Sequence, residues 1–319
     1  MKKHLVQAKL LKTTLFVVLC LVAVHCSQSK KYVEYNQIKS QALEELRSVL
    51  QEQTGWVKVH AAEFLLWAGY PDGVKAVYQD EESHYSTVTP YRIGIWRVLA
   101  QAADTEEEKE GYIEKILEAF LDTAGADRIH ASETLAKLER SPAKANAEVT
   151  AAALTSDVKA LAWYTRWAVA FDSADSRVRA KKALLEQLSE EDPTARIIAA
   201  YSLRKIGGLS QSEWKTLSEA AAREPTTSPA SVYLLSAALI TADDAYGETE
   251  KIYSSLRDFA QAPGKGERME MCMALAEKGS ENDIPLLVSL LNNETPLGRE
   301  EDDADVRAAA AFALLKIID

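Results

Sequence analysis

Two His-x-x-Glu motifs, His60-Ala61-Ala62-Glu63 and His130-Ala131-Ser132-Glu133, come closest in this chain to metal chemistry. Residues three apart share a helical face, so each pair can aim an imidazole and a carboxylate at one ion. A segment holding Gly94 and Arg97 separates the motifs. Helices stacked at roughly 8–10 Å would put them on the order of 20 Å apart, too far for a binuclear centre. His60 and His130 also stand where a small buried residue is wanted, so packed, hydrogen-bonded histidines are expected, with no metal and no cofactor. Asp302, Asp303 and Asp305 lack the spacing of a calcium loop. The runs Glu106-Glu107-Glu108 and Glu300-Glu301-Asp302-Asp303 suit helix starts. There is no Gly-rich phosphate loop, GxSxG elbow or HExxH motif. Beyond the first 26 residues the histidines are His60, His84 and His130, few as general bases. No catalytic residue is assigned, and a non-enzyme is expected.

Aromatic residues offer a second chemistry, contact with a partner. Trp163, Tyr164 and Trp167 cluster in one segment, and Tyr91 and Trp96 in another. Aromatics at helical spacing are mostly core. Trp163 nevertheless coincides with a break in the pattern described next, which makes the first cluster the best candidate contact for a glycan or a protein.

These residues sit on a recurring stretch. A residue, usually apolar, is followed by a basic one, then by small or apolar residues, with Leu eight positions after the start. It reads Ala195-Arg196-Ile197-Ile198-Ala199-Ala200-Tyr201-Ser202-Leu203 and, near the end, Val306-Arg307-Ala308-Ala309-Ala310-Ala311-Phe312-Ala313-Leu314. The Leu position falls at Leu65, Leu99, Leu135, Leu203, Leu239, Leu275 and Leu314, and a degenerate copy near Val158 carries Arg166 there. Such a period means stacked helical pairs, each burying its apolar face on its neighbours. Eight second helices are counted. Thr89, Asp157, Asp192, Ser228 and Asp305 are the expected caps. First helices are expected over 37–51, 106–121, 245–260 and 282–291, with shorter ones near 74–78, 149–154, 178–188 and 214–222. Essentially no β-sheet is predicted.

The position after the start of each stretch forms a ladder: Lys58, Arg92, Arg128, Lys159, Arg196, Val232, Arg268 and Arg307. A cation in a first helical turn opposes the dipole, so each needs a compensating partner. A structural ladder, each cation bonding a carboxylate or carbonyl of the next repeat, is expected over a row that binds acidic partners.

The Val-Arg-x-Ala-Ala-Ala-x-Ala-Leu-like stretches resemble the HEAT-like repeats of bacterial proteins, over about residues 37–319. The resemblance implies an all-α, right-handed α-solenoid of about eight HEAT-like helical hairpins, whose second helices line a concave face where partners dock. HEAT-like deoxyhypusine hydroxylase builds a di-iron site from adjacent His-Glu pairs, which the spacing here does not match. The segments Gly69-Tyr70-Pro71, Tyr91-Arg92-Ile93-Gly94-Ile95-Trp96-Arg97 and Asp127-Arg128-Ile129-His130-Ala131 also resemble HEAT segments encoded beside sulfatases or sodium-coupled solute symporters in Bacteroidetes-like bacteria.

The remaining features concern location. Lys2, Lys3, Lys9 and Lys12 precede an uncharged run from Thr13 to Val24, the layout of an export signal. The run is too short to span a membrane, which takes roughly 20 apolar residues. Cys26 resembles the acceptor of a bacterial lipoprotein signal, although His25 stands where Gly, Ala or Ser is usual. The expected plan is a signal over 1–26, a short tether over 27–36 and the repeats over 37–319, lipid-anchored in the bacterial envelope and facing the periplasm. Once Cys20 leaves and Cys26 carries lipid, Cys272 is the one free thiol and no disulfide framework is possible. The chain carries a formal −11. Residues 1–25 hold four Lys and no acid, so the rest has 33 basic against 48 acidic residues, a balance of −15. That excludes non-specific nucleic-acid binding, which needs clustered cations. The expected function is a non-enzymatic, envelope-anchored scaffold that binds a partner protein, such as a sodium-coupled solute symporter or a sulfatase-type enzyme, as a helper in sugar uptake or glycan processing. The alternatives are a carbohydrate-binding module built on Trp163, Tyr164 and Trp167, or a metalloenzyme using His60, Glu63, His130 and Glu133.

Overall fold

The computed structural model describes residues 32–243 and 249–319, all helices and connections, with no strand among the described residues. The expected signal, Cys26 and the start of the tether lie outside the described residues. Residues 32–36, expected as tether, are already helical.

The chain is helical over 32–52 (α1). There follow α2 (Gly55–Trp67), α3 (Val74–Tyr85), α4 (Tyr91–Gln101), α5 (Glu106–Leu121) and α6 (Arg128–Lys137). Next come α7 (Ala147–Leu154), α8 (Lys159–Ala168), α9 (Ala174–Gln187), α10 (Pro193–Ile206) and α11 (Gln211–Arg223). The last are α12 (Ala230–Ile240), α13 (Thr249–Arg257), α14 (Lys265–Lys278), α15 (Ile284–Leu291) and α16 (Glu300–Ile318). Every stretch carrying the repeated pattern is an even-numbered helix. The Leu of each stretch is buried, and Ala, Ser or Thr beside it lets neighbouring helices approach closely. Gly94 marks one such approach: a Cβ there would lie 3.0 Å from both the Trp56 ring and Val59.

Each even-numbered helix packs on the next, from α2 through α16, and α16 then packs on α2. The odd-numbered helices lie against this inner set, as α3, α5, α11 and α15 do on α4, α6, α12 and α16. The inner helices therefore close a ring. Phe64 of α2 stacks on Phe312 of α16 at 5.1 Å between ring centroids. Tyr70 donates to the Asp319 carboxylate at 2.8 Å, and Arg307 Nε donates to Glu45 of α1 at 2.7 Å. The second helices therefore line the inside of a ring, not the concave docking face that the resemblance implied. The physical reason is mass action within one chain. The apolar faces of the first and last inner helices bury each other once curvature brings them together, instead of staying wet.

The basic ladder runs round the outside of this inner ring. Lys58 pairs with Glu81 at 2.6 Å, and Arg92 Nε with Asp127 at 2.6 Å. Arg128 donates to the carbonyls of Phe120 and Val149, and Arg268 to those of Ala262 and Thr295. Arg196 grips Glu224 through two bonds of 2.9 and 2.7 Å. Arg307 continues the series across the closure, onto Glu45 of the first helix. Lys159 is exposed.

Several expected caps are replaced. Asp192 accepts from the Thr194 amide, and Ser228 from that of Ala230. Thr89 and Asp157 cap nothing, because α4 and α8 start after Pro90 and Val158. Asp305 lies inside α16, not at its start. That helix begins at Glu300 because four acids, Glu300 to Asp303, occupy the turn where the dipole favours negative charge. Asp303 also ties back the Leu297 amide at 2.6 Å. Cys272 is fully buried, and burial pushes its thiol up to about 12. Among the described residues no helix is long and apolar enough to cross a membrane.

Candidate functional site

The ring encloses two chambers. The larger has a volume of about 450 Å³ and is lined from α2, α6, α8, α10, α12, α14 and α16. The smaller, about 160 Å³, shares Glu63, Trp67, Lys137 and Tyr201 with it. Early residues of the inner helices, such as Trp56, Ile197 and Lys265, face the larger chamber, and late ones, such as Gln101, Trp167 and Lys205, the smaller. The inner helices thus run parallel, with the positive ends of their dipoles toward the larger chamber.

Carboxylates and cations alternate around the wall. On α2, Glu63 accepts from Arg97 Nε at 2.7 Å, Arg97 Nη2 at 2.9 Å and Gln101 at 2.8 Å. Burial would raise this carboxyl, but the Arg97 guanidinium holds it at about 2. Glu133 of α6 pairs with Lys137 one turn on at 2.7 Å. Asp305 receives His60 Nδ1 at 2.8 Å and Lys265 at 3.1 Å. Burial works against Glu133 and Asp305 as well, yet Lys137 and the His60 bond keep them below the usual carboxylate range. Glu270 pairs with Arg204, and here burial wins and pushes the carboxyl up.

Aromatic faces fill the spaces between these pairs. Trp56 reaches past Gly94 of α4 and stacks on His130 at 5.3 Å. Tyr201 stands between the chambers, with Arg204 at 4.7 Å and Lys205 and Lys137 near 6 Å from its ring. Burial pushes the Tyr164 and Tyr233 phenols up, so both stay protonated as donors.

The depressed carboxyls give a pH prediction. Glu63 is about 2 when folded against an ordinary 4.5. Its contribution to stability is therefore fully present above 4.5 and is lost as pH falls toward 2, because the unfolded chain takes up the proton first. Urea midpoints should drop across that window. The Glu63→Gln/Arg97→Met pair should show a shallower drop; an unchanged slope would refute the assignment.

The structure redistributes the residues expected from sequence. His60, Glu63 and Glu133 reach one cavity, because the ring curls α2 and α6 toward a common axis. Both Glu63 oxygens are taken by Arg97 and Gln101, and among the described residues no group of three or more His, Cys, Asp or Glu is placed to hold a metal. Trp163, Tyr164 and Trp167 do not share one exposed face. Trp163 is buried against Ala195 and Ile198, and Trp167 against Ala136 and edge-on to Tyr201. Tyr164 lines the larger chamber and Trp167 the smaller. The break in the pattern is a change of register. Arg166 turns out to Gln187, and the larger Trp167 takes the interior place. Tyr91 and Trp96 are not free contacts either: they donate to Glu81 and Glu82 of α3 at 2.7 and 3.0 Å.

Arg204, Tyr233, Lys265 and Glu270 were not singled out by sequence, and Asp305 only as a cap and a calcium candidate, yet all line the cavity. A signal existed. Three places into each stretch stand His60, Gly94, His130 and Glu270, and six places in stand Glu63, Arg97, Glu133, Tyr164 and Tyr201. Of these, His60, Glu63, Glu133, Tyr164, Tyr201 and Glu270 line the cavity.

The fold and site together define an all-helical ring around an aromatic-lined, mostly apolar cavity that also carries charged side chains. No known protein-family model matches the sequence, and no curated protein matches it either.

Proposed function

We propose that this chain is a non-enzymatic, envelope-anchored binding protein that holds a small polyhydroxylated molecule, a sugar of one or two rings, inside its ring of helices. The finer architecture in this reading is a right-handed solenoid of about eight HEAT-like hairpins whose ends have met. The observation that carries the reading is the axial cavity of about 450 Å³, within the range typical of small-ligand sites. Each sugar hydroxyl both donates and accepts, and a wall carrying Lys137, Glu133, Lys265 and Asp305 serves both roles. Tyr164, Tyr201 and Trp56 supply apolar faces for the C–H side of a ring. The same enclosure removes the concave surface a protein partner would need, so a scaffold role would fall to the outer helices. Lipid attachment at Cys26 would keep the ring facing the periplasm, where it would pass its ligand to a sodium-coupled solute symporter or a sulfatase-type enzyme.

Isothermal titration of the full-length chain in detergent with neutral and acidic mono- and disaccharides tests this. A saturable heat with Kd between about 1 μM and 1 mM is expected, weakened at least about tenfold by Tyr164→Ala. Absence of binding across the panel would refute it.

A further inference from the structure

We infer that the ligand carries a carboxylate, as a hexuronic acid does, and that Arg204 receives it. This rests on the sugar-binding reading and names the sugar class. The Arg204 side chain lines the cavity and is 1% exposed. Its Nη1 donates to Ser236 at 2.9 Å and to Glu270. Its Nε and Nη2 are buried without a hydrogen-bond partner. A buried donor left unmade costs about 1–3 kcal/mol, more when charged, so two on one guanidinium call for an explanation. Nε and Nη2 form one edge of the guanidinium plane, spaced to meet the two oxygens of a carboxylate side by side. The plane is fixed by Tyr201, 4.7 Å beneath it.

The surroundings choose among anions. Glu63, Glu133, Glu270 and Asp305 all line the chamber, which disfavours a phosphate dianion. A single negative charge is easier to accept. Glu270 is the carboxylate that already competes for this guanidinium, through Nη1, and burial pushes its carboxyl up despite Arg204 beside it. Lys265 and the parallel helix N-termini bias the same chamber toward an anion.

The test compares glucuronate, galacturonate and mannuronate with glucose, galactose, mannose and glucose 6-phosphate, by titration into the full-length chain. At least one uronate should bind about tenfold or more tighter than its neutral parent and its phosphate counterpart. Arg204→Gln should bring uronate and parent within about threefold of each other. Arg204→Lys, which keeps charge but loses the bidentate edge, should fall between. Glu270→Gln removes the competing carboxylate and should tighten uronate binding severalfold, a readout independent of any folding defect in the Arg204 variants. Equal binding of uronates and neutral sugars, or weaker uronate binding by Glu270→Gln, would overturn the carboxylate assignment and leave the sugar reading standing. No binding of any sugar would remove both.

Discussion

Replacing Arg97 with Met should destabilise the protein by about 3–5 kcal/mol, the cost of stranding a buried carboxylate. Arg97 and Glu63 are both essentially without solvent contact, and among the described residues Arg97 is the only cation bonded to Glu63. The guanidinium also donates to Thr134 at 3.3 Å, so three consecutive inner helices meet on it. Its removal leaves Glu63 with Gln101 alone. The carboxylate must then take up a proton, or α2 must shift toward water, which opens the ring. The double variant Glu63→Gln/Arg97→Met should recover much of the loss, because a neutral amide beside a thioether costs far less to bury than a lone charge. Urea denaturation of the four species gives the coupling energy directly. A loss below about 1 kcal/mol for Arg97→Met would mean that the pair is wetter than its geometry indicates.

Much of the helical pattern could be read from sequence, because each inner helix repeats one burial rule at a fixed period. Leu203 and Leu314 are enclosed for the same reason, and α5 runs over Glu106–Leu121 as its apolar stripe requires. Ring closure could not be read. Each hairpin's sequence encodes contacts with its neighbours, and whether the ends meet depends on a small rotation summed over all of them. The site was hidden by the same step. Glu63 and Glu133 look unremarkable each on its own helix, and become a cavity wall only when α14 and α16 come round with Glu270 and Asp305. The ladder of Lys58, Arg92 and Arg196 stood out because it repeats. It repeats because it does the same structural job each time, whereas the cavity residues differ from helix to helix because a ligand site is asymmetric.

Phe312→Ala tests closure itself and should cost about 3–5 kcal/mol. The Phe312 ring is buried, stacks on Phe64 and meets Trp67 edge-on at 6.0 Å. The cavity left there lies on the seam between the last inner helix and the first. In an open stack, loosening the last helix propagates only to its sequence neighbours, and helices at the far end keep their protection. In a closed ring, α2 is as near to α16 as α14 is. Native-state hydrogen exchange should therefore show the α2 amides around Phe64 and Leu65 exchanging faster in Phe312→Ala, together with those of α14, while α8, on the far side of the ring, changes least. Deleting residues 299–319 is the stronger form. It removes α16 with Val306, Phe312, Leu314 and Leu315, each buried and each contributing about 1.5–3 kcal/mol. It also exposes the facing sides of both α14 and α2. With total stabilities of about 5–15 kcal/mol, the truncated chain should lose its cooperative thermal transition. A truncated protein that still unfolds sharply, with α2 protected as in the full chain, would mean that the two ends of the chain do not hold each other.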